Sequence, residues 1–113
     1  MRGLWCKMSG KTTQIKKEFY FKIYNRGNEI VLAVCDKDIL GKKVEENEIV
    51  LYAKPEFYKG EEIGEEVIEL FERASIINLM GKKIVALALK HGLIEKNSIL
   101  EIKGVAHAQI IKM

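Results

Sequence analysis

The sequence predicts an α+β fold in one domain, with a mainly antiparallel sheet and two consecutive α-helices. Three observations carry that prediction. Phe19, Phe21 and Ile23 alternate with Tyr20, Lys22 and Tyr24, the period of two that marks a strand. Residues 65–91 instead repeat apolar side chains every three or four positions, the period of a helix. Residues 98–112 return to alternation. Strand and helix signals are therefore segregated along the chain, which argues α+β rather than an alternating βαβ order.

The elements follow in order. Residues 1–17 show no sustained period and read as a flexible basic N-terminal arm, leaving 18–113 as the domain. Asn25-Arg26-Gly27-Asn28 is a turn cluster between two strands. A four-residue loop there pairs Ile23 with Ile30, Phe21 with Leu32 and Phe19 with Val34, placing six apolar residues on one face. Asp36 to Gly41 suggests a short capped turn, with Asp36 accepting backbone N–H groups and Gly41 closing it. Residues 43–46 and 48–53 read as short middle strands, and 54–60, with the sole Pro, as a surface loop. Glu65 to Ser75 places Val67, Phe71 and Ala74 on one helical stripe. Asn78 reads as the N-cap of a second helix, buried through Ile84, Leu87 and Ala88 and ended by Gly92. Strands over 98–103 and 105–112, joined at Lys103-Gly104, form a C-terminal hairpin.

Composition narrows the function classes. Of 113 residues, 48% are hydrophobic and 31% charged, too apolar for a disordered chain. One Pro and nine Gly exclude collagenous and Pro-rich linker proteins. No apolar run approaches the roughly 18–20 residues of a membrane span, and residues 1–7 hold no signal-peptide core. Met8-Ser9-Gly10 reads as a natural start, which would set residues 1–7 apart. Two cysteines, Cys6 and Cys35, predict no structural disulfide and fit a reducing cytoplasm. The net charge of +3 is unevenly laid out. Residues 1–17 carry five cations and no acid; 18–72 carry seven cations and fourteen acids; 73–113 carry seven cations and two acids. The basic blocks either neutralise the middle or meet a polyanion.

Few residues carry chemistry. Ser9-Gly10-Lys11-Thr12-Thr13 resembles the end of a phosphate-binding loop, but Trp5 stands where the pattern needs its first Gly. His91, His107, Cys6 and Cys35 show no metal-ligand spacing, so neither metal nor cofactor is expected. Cys35 lies beside Asp36 and Asp38, acids that hold a thiol protonated, so it reads as a buried small residue. His107 and Gln109 share a strand face between Ala106 and Ala108, either as a polar ligand site or as a structural pair. Hydroxyl nucleophiles are limited to Ser75, Ser98 and the arm, and no triad is readable, which favours a binding protein over an enzyme. Tyr20, Lys22 and Tyr24 present rings interleaved with a cation, as in sheets that bind single-stranded nucleic acid, or else form a packed second face. Gly81-Lys82-Lys83, in a helical first turn, is an anion site or a solvated basic patch.

Residues 33–42 (AVCDKDILGK), 78–82 (NLMGK) and 104–109 (GVAHAQ) together resemble the small archaeal family known as domain of unknown function 424. The third family motif reads Gly-Val-Pro-His-Ala-Gln, and Ala106 stands at its proline. The resemblance spans about residues 19–113. It implies an archaeal, cytoplasmic protein grouped with predicted RNA-binding proteins, and supplies no catalytic residue. With it, the candidate ligand-binding residues are Asn78, Gly81, Lys82, His107 and Gln109. The candidate nucleic-acid contacts are Lys11, Lys16, Lys17, Lys22 and Lys83. The leading expectation is a non-catalytic module for RNA or a ribonucleoprotein. The alternatives are a small-molecule site or enzyme at His107 and Gln109, and a protein-interaction subunit.

Overall fold

The structure, a computed structural model, describes residues 16–112. Strands β1 (Phe19–Arg26) and β2 (Glu29–Asp36) form the first hairpin. The chain turns on Gly27 and Asn28, a two-residue loop, not on four. Gly27 has φ 60°, and Gly at the first central position gives a turn whose twist suits the flanking strands. Ile23 therefore pairs with Leu32 and Phe21 with Val34, two residues from the expected register. A shift of two keeps every side chain on its predicted face; a shift of one would not.

Strands β3 (Lys43–Glu46) and β4 (Ile49–Tyr52) make a separate two-stranded sheet. One helical turn, α1 (Pro55–Tyr58), forms inside the expected surface loop, with Pro at its first position, where a missing N–H costs nothing. Strand β5 (Glu61–Ile63), without a strand signal in the sequence, lies at the sheet edge beside β1. Glu65–Arg73 is helical as expected but winds as a 3₁₀ helix, burying Val67 and Phe71.

The largest correction follows. The two helices are not consecutive. Ile76–Met80 is strand β6, and Asn78 sits in its middle rather than capping a helix. Strand β6 runs parallel to β2 and antiparallel to β8 (Val105–Ile111), so the six-stranded sheet is mixed, in the order β5-β1-β2-β6-β8 and then β7 (Leu100–Ile102). The physical reason is burial on both faces. Central parallel strands are covered on each side and read as near-continuous apolar runs, which is what Ile76, Ile77, Leu79 and Met80 supply. Helix α2 (Lys82–Lys90) starts only after Gly81. It buries Ile84, Val85, Leu87 and Ala88, and Gly92 (φ 72°) closes it in a Schellman arrangement. There Leu93 N–H bonds Ala88 O at 2.9 Å and Gly92 N–H bonds Leu89 O at 3.0 Å. The predicted turn at Lys103-Gly104 joins β7 to β8.

Two cores result. On one sheet face Phe19, Leu32, Val34, Ile77, Leu79, Ala106 and Ala108 meet α2 and the 3₁₀ helix. On the other, Ala33, Cys35, Met80, Ile102 and Val105 meet Val44, Leu51, Ala53 and Tyr58 from the small sheet and α1. This second face positions the candidate site. Among the described residues, no helix is long and apolar enough to cross a membrane.

Candidate nucleic-acid interface

The motif residues meet around one buried carboxylate. Asp36 is 2% exposed and ends β2. It makes no side-chain bond to the following turn (Lys37–Ile39), contrary to the sequence expectation. Its carboxylate instead accepts the N–H groups of Lys83 (2.8 Å) and Ile84 (2.9 Å), capping α2 from a distant strand. Burial raises the Asp36 pKa to about 6, against the opposing pull of those two N–H groups. Gly81 makes room for it: a Cβ there would stand 2.3 Å from the Asp36 carboxyl carbon, and its φ is 123°. Gly81 N–H also bonds Ala106 O at 2.7 Å, tying the second motif to the third.

This accounts for much of the expected anion site. A carboxylate already takes the free N–H groups of the α2 N-terminus. Lys83 pairs with Glu18 (3.4 Å) and Asp38 (3.5 Å), and Lys82 with Glu101 (3.4 Å). Gly81 is thus required by packing against Asp36, while Lys82 is an exposed side chain paired at the surface. Cys35 is fully buried, its Sγ–H donating to Asp36 O at 3.2 Å, and burial pushes the thiol up to about 12. It is an inert thiol. Ser75 is not poised as a nucleophile: its hydroxyl bonds both the N–H (2.9 Å) and the O (3.1 Å) of Ile30.

Asn78, His107 and Gln109 do come together. Asn78 pairs directly with Gln109 across β6 and β8, and His107 lies opposite Met80 and Leu100. All three share the sheet face of the second core, with Gln109 exposed and His107 and Asn78 half-buried. Burial lowers the His107 pKa, so the ring is neutral at neutral pH. Among the described residues, no group of three or more His, Cys, Asp or Glu side chains is placed to hold a metal.

The aromatic-basic strand face is partly packed and partly lines a cleft. Lys22 Nζ donates to Glu56 O at 2.8 Å and is half-buried. The Tyr20 ring lies under Lys37 at 5.5 Å. Tyr24 stacks on Phe57 (5.1 Å, 12°), and its hydroxyl donates to Phe57 O at 2.7 Å. Tyr58 meets Phe57 edge-on at 4.9 Å. The Tyr24, Phe57 and Tyr58 rings, with Tyr52, Lys54 and Glu56, line a cleft of about 420 Å³. Tyr52 is 42% exposed, and Lys43 lies 5.9 Å from its ring. Arg26 lies 5.8 Å from the Tyr24 ring. Sequence reasoning found Tyr24 but missed Tyr52, Phe57 and Tyr58. The available signal was Phe57-Tyr58 inside a presumed surface loop, since adjacent rings in a loop must pack on something. Of the predicted nucleic-acid lysines, Lys16 and Lys17 are exposed. Lys11 lies outside the described residues, as do Cys6, the 9–13 segment and most of the predicted arm.

Comparison with known proteins agrees with this fold. A crystal structure of an uncharacterized conserved protein from Methanopyrus kandleri is similar at 25% identity and a TM-score of 0.67, covering 81% of this chain and 89% of that one. No curated protein matches the chain. The family model described as "Protein of unknown function (DUF424)" matches residues 24–113, which holds the last three residues of β1 and everything after them, including all three motifs that meet around Asp36. The chain belongs to that family.

Proposed function

We propose that the protein is a non-catalytic module that binds single-stranded RNA in an archaeal cytoplasm, using the Tyr24–Phe57–Tyr52 cleft as its base platform. The observation that carries this reading is the cleft itself: the rings of Tyr24, Phe57, Tyr58 and Tyr52, with Tyr24 fixed on Phe57 by its hydroxyl bond and Arg26, Lys43 and Lys54 around them. Bases stack on such rings regardless of sequence, and the cations follow the phosphates. Exposed Lys16 and Lys17 supply further charge. The polar trio Asn78, His107 and Gln109, on the same sheet face, offers donors and acceptors to a strand passing beyond the cleft.

The test is fluorescence anisotropy with a labelled single-stranded RNA and the full chain. Binding falls steeply between 50 and 200 mM salt, as counterion release requires. Tyr52→Ala removes one stacking surface, worth about 1–3 kcal/mol. Absence of binding at the lower salt overturns the reading. A second reading, a small-molecule site at His107 and Gln109, is favoured by the half-buried neutral imidazole. It requires ligand loss on His107→Ala with RNA affinity and stability unchanged.

A further inference from the structure

Resting on the RNA reading above, we infer that the cleft selects a guanine base, with Glu56 and Lys54 as the residues that read its edge. The cleft has an unusual division of labour. Strand β1 is tied to the α1 backbone by two bonds, Tyr24 Oη to Phe57 O at 2.7 Å and Lys22 Nζ to Glu56 O at 2.8 Å. Both bonds use carbonyls, so the Glu56 side chain is left uncommitted. Among the described residues, neither the Glu56 carboxylate nor the Lys54 ammonium is in an ion pair, and both line the cleft beside the rings. An acid and a base that share a cleft without pairing are available to a ligand carrying donors and acceptors of its own.

The chemistry of the two groups picks the base. A carboxylate only accepts, through two parallel oxygens. Guanine alone presents two adjacent donors, N1–H and the N2 amino group, on its Watson–Crick edge. Uracil offers one N–H between two carbonyls, which a carboxylate repels. Adenine and cytosine each offer one amino group beside a bare ring nitrogen. The Lys54 ammonium only donates and matches the acceptors O6 and N7 of guanine. The rings bind any base; Glu56 and Lys54 discriminate.

The experiment measures anisotropy of the full chain with four heptamers, U₃NU₃, where N is G, A, C or U, and competes them with GMP or AMP. The expected result is about tenfold tighter binding for N = G, the scale of one bidentate base contact. Glu56→Gln, an exposed change, cuts the ratio of the G to the U heptamer affinities to near unity. GMP displaces the RNA at concentrations where AMP does not. Equal affinity for all four heptamers overturns the guanine inference and leaves the RNA reading standing. A guanine preference that survives in Glu56→Gln overturns the role of Glu56. Binding of GMP without any heptamer supports the guanine site and overturns the RNA reading. No binding of either overturns both.

Discussion

At the scale of the residue, the molecule is organised around Asp36. One carboxylate, 2% exposed, satisfies two N–H groups of a helix that begins 46 positions later. Asp36→Ala leaves both N–H groups without a partner and should cost about 1–2 kcal/mol, the range of cap removal, measured by urea denaturation. Gly81→Ala should cost about 2–3 kcal/mol, because it adds backbone strain to a Cβ placed 2.3 Å from the carboxyl. The pH dependence has a defined sign. The Asp36 pKa is raised from 3.8 to about 6, so the folded state holds a proton the unfolded state has lost. Its contribution to stability is greatest below pH 3.8, falls as pH rises to about 6, and is constant above. His107 works in the opposite sense. Its pKa is lowered from 6.5, so its contribution is present above pH 6.5 and lost as pH falls through the folded value. Denaturation midpoints from pH 4 to 8 for wild type, Asp36→Asn and His107→Gln separate the two. Each variant should lose one limb of the profile.

At the scale of the element, the legible parts were those with local period. Alternation in residues 19–24 gave the strand faces, and the α2 stripe of Ile84, Leu87 and Ala88 matched its buried side. Strand β6 was not legible because a short apolar run is the same signal in a buried strand and in the start of a helix. Asn78 tipped that balance wrongly, since Asn at an N-cap is common while its pairing with Gln109 is a tertiary fact. The cap on α2 was invisible for the same reason: its donor and acceptor come from elements far apart in sequence. The β3–β4 turn offers a direct test of turn chemistry. Asn47 (φ 52°) and Glu48 (φ 69°) are both left-handed, as a type I′ turn requires, yet the second position is not Gly. Glu48→Gly should stabilise the protein by about 0.5–1 kcal/mol, read as a rise in the denaturation midpoint with unchanged slope.

At the scale of the whole molecule, charge and shape say different things. Three of the 19 basic residues (Arg2, Lys7 and Lys11) and none of the 16 acids precede residue 16, so residues 16–112 carry no net charge. Net charge therefore does not bring the folded part to RNA; local arrangement must. Lys82 and Lys83 are matched by Glu101, Glu18 and Asp38, exposed pairs of about 0–1 kcal/mol each that also quench the local field. The aromatic cleft is assembled from β1, β4 and α1, three elements no single window of sequence could join. Deleting residues 1–15 should weaken RNA affinity and flatten its salt slope, since three cations leave with them, while the denaturation midpoint stays unchanged. The most direct test of the central claim is ultraviolet cross-linking of the full chain to a short single-stranded RNA, with the attachment sites mapped by mass spectrometry. The account predicts cross-links at Tyr52 and Phe57, lost when unlabelled RNA competes. Cross-links confined to residues 1–17, or to the exposed side of α2, would contradict it.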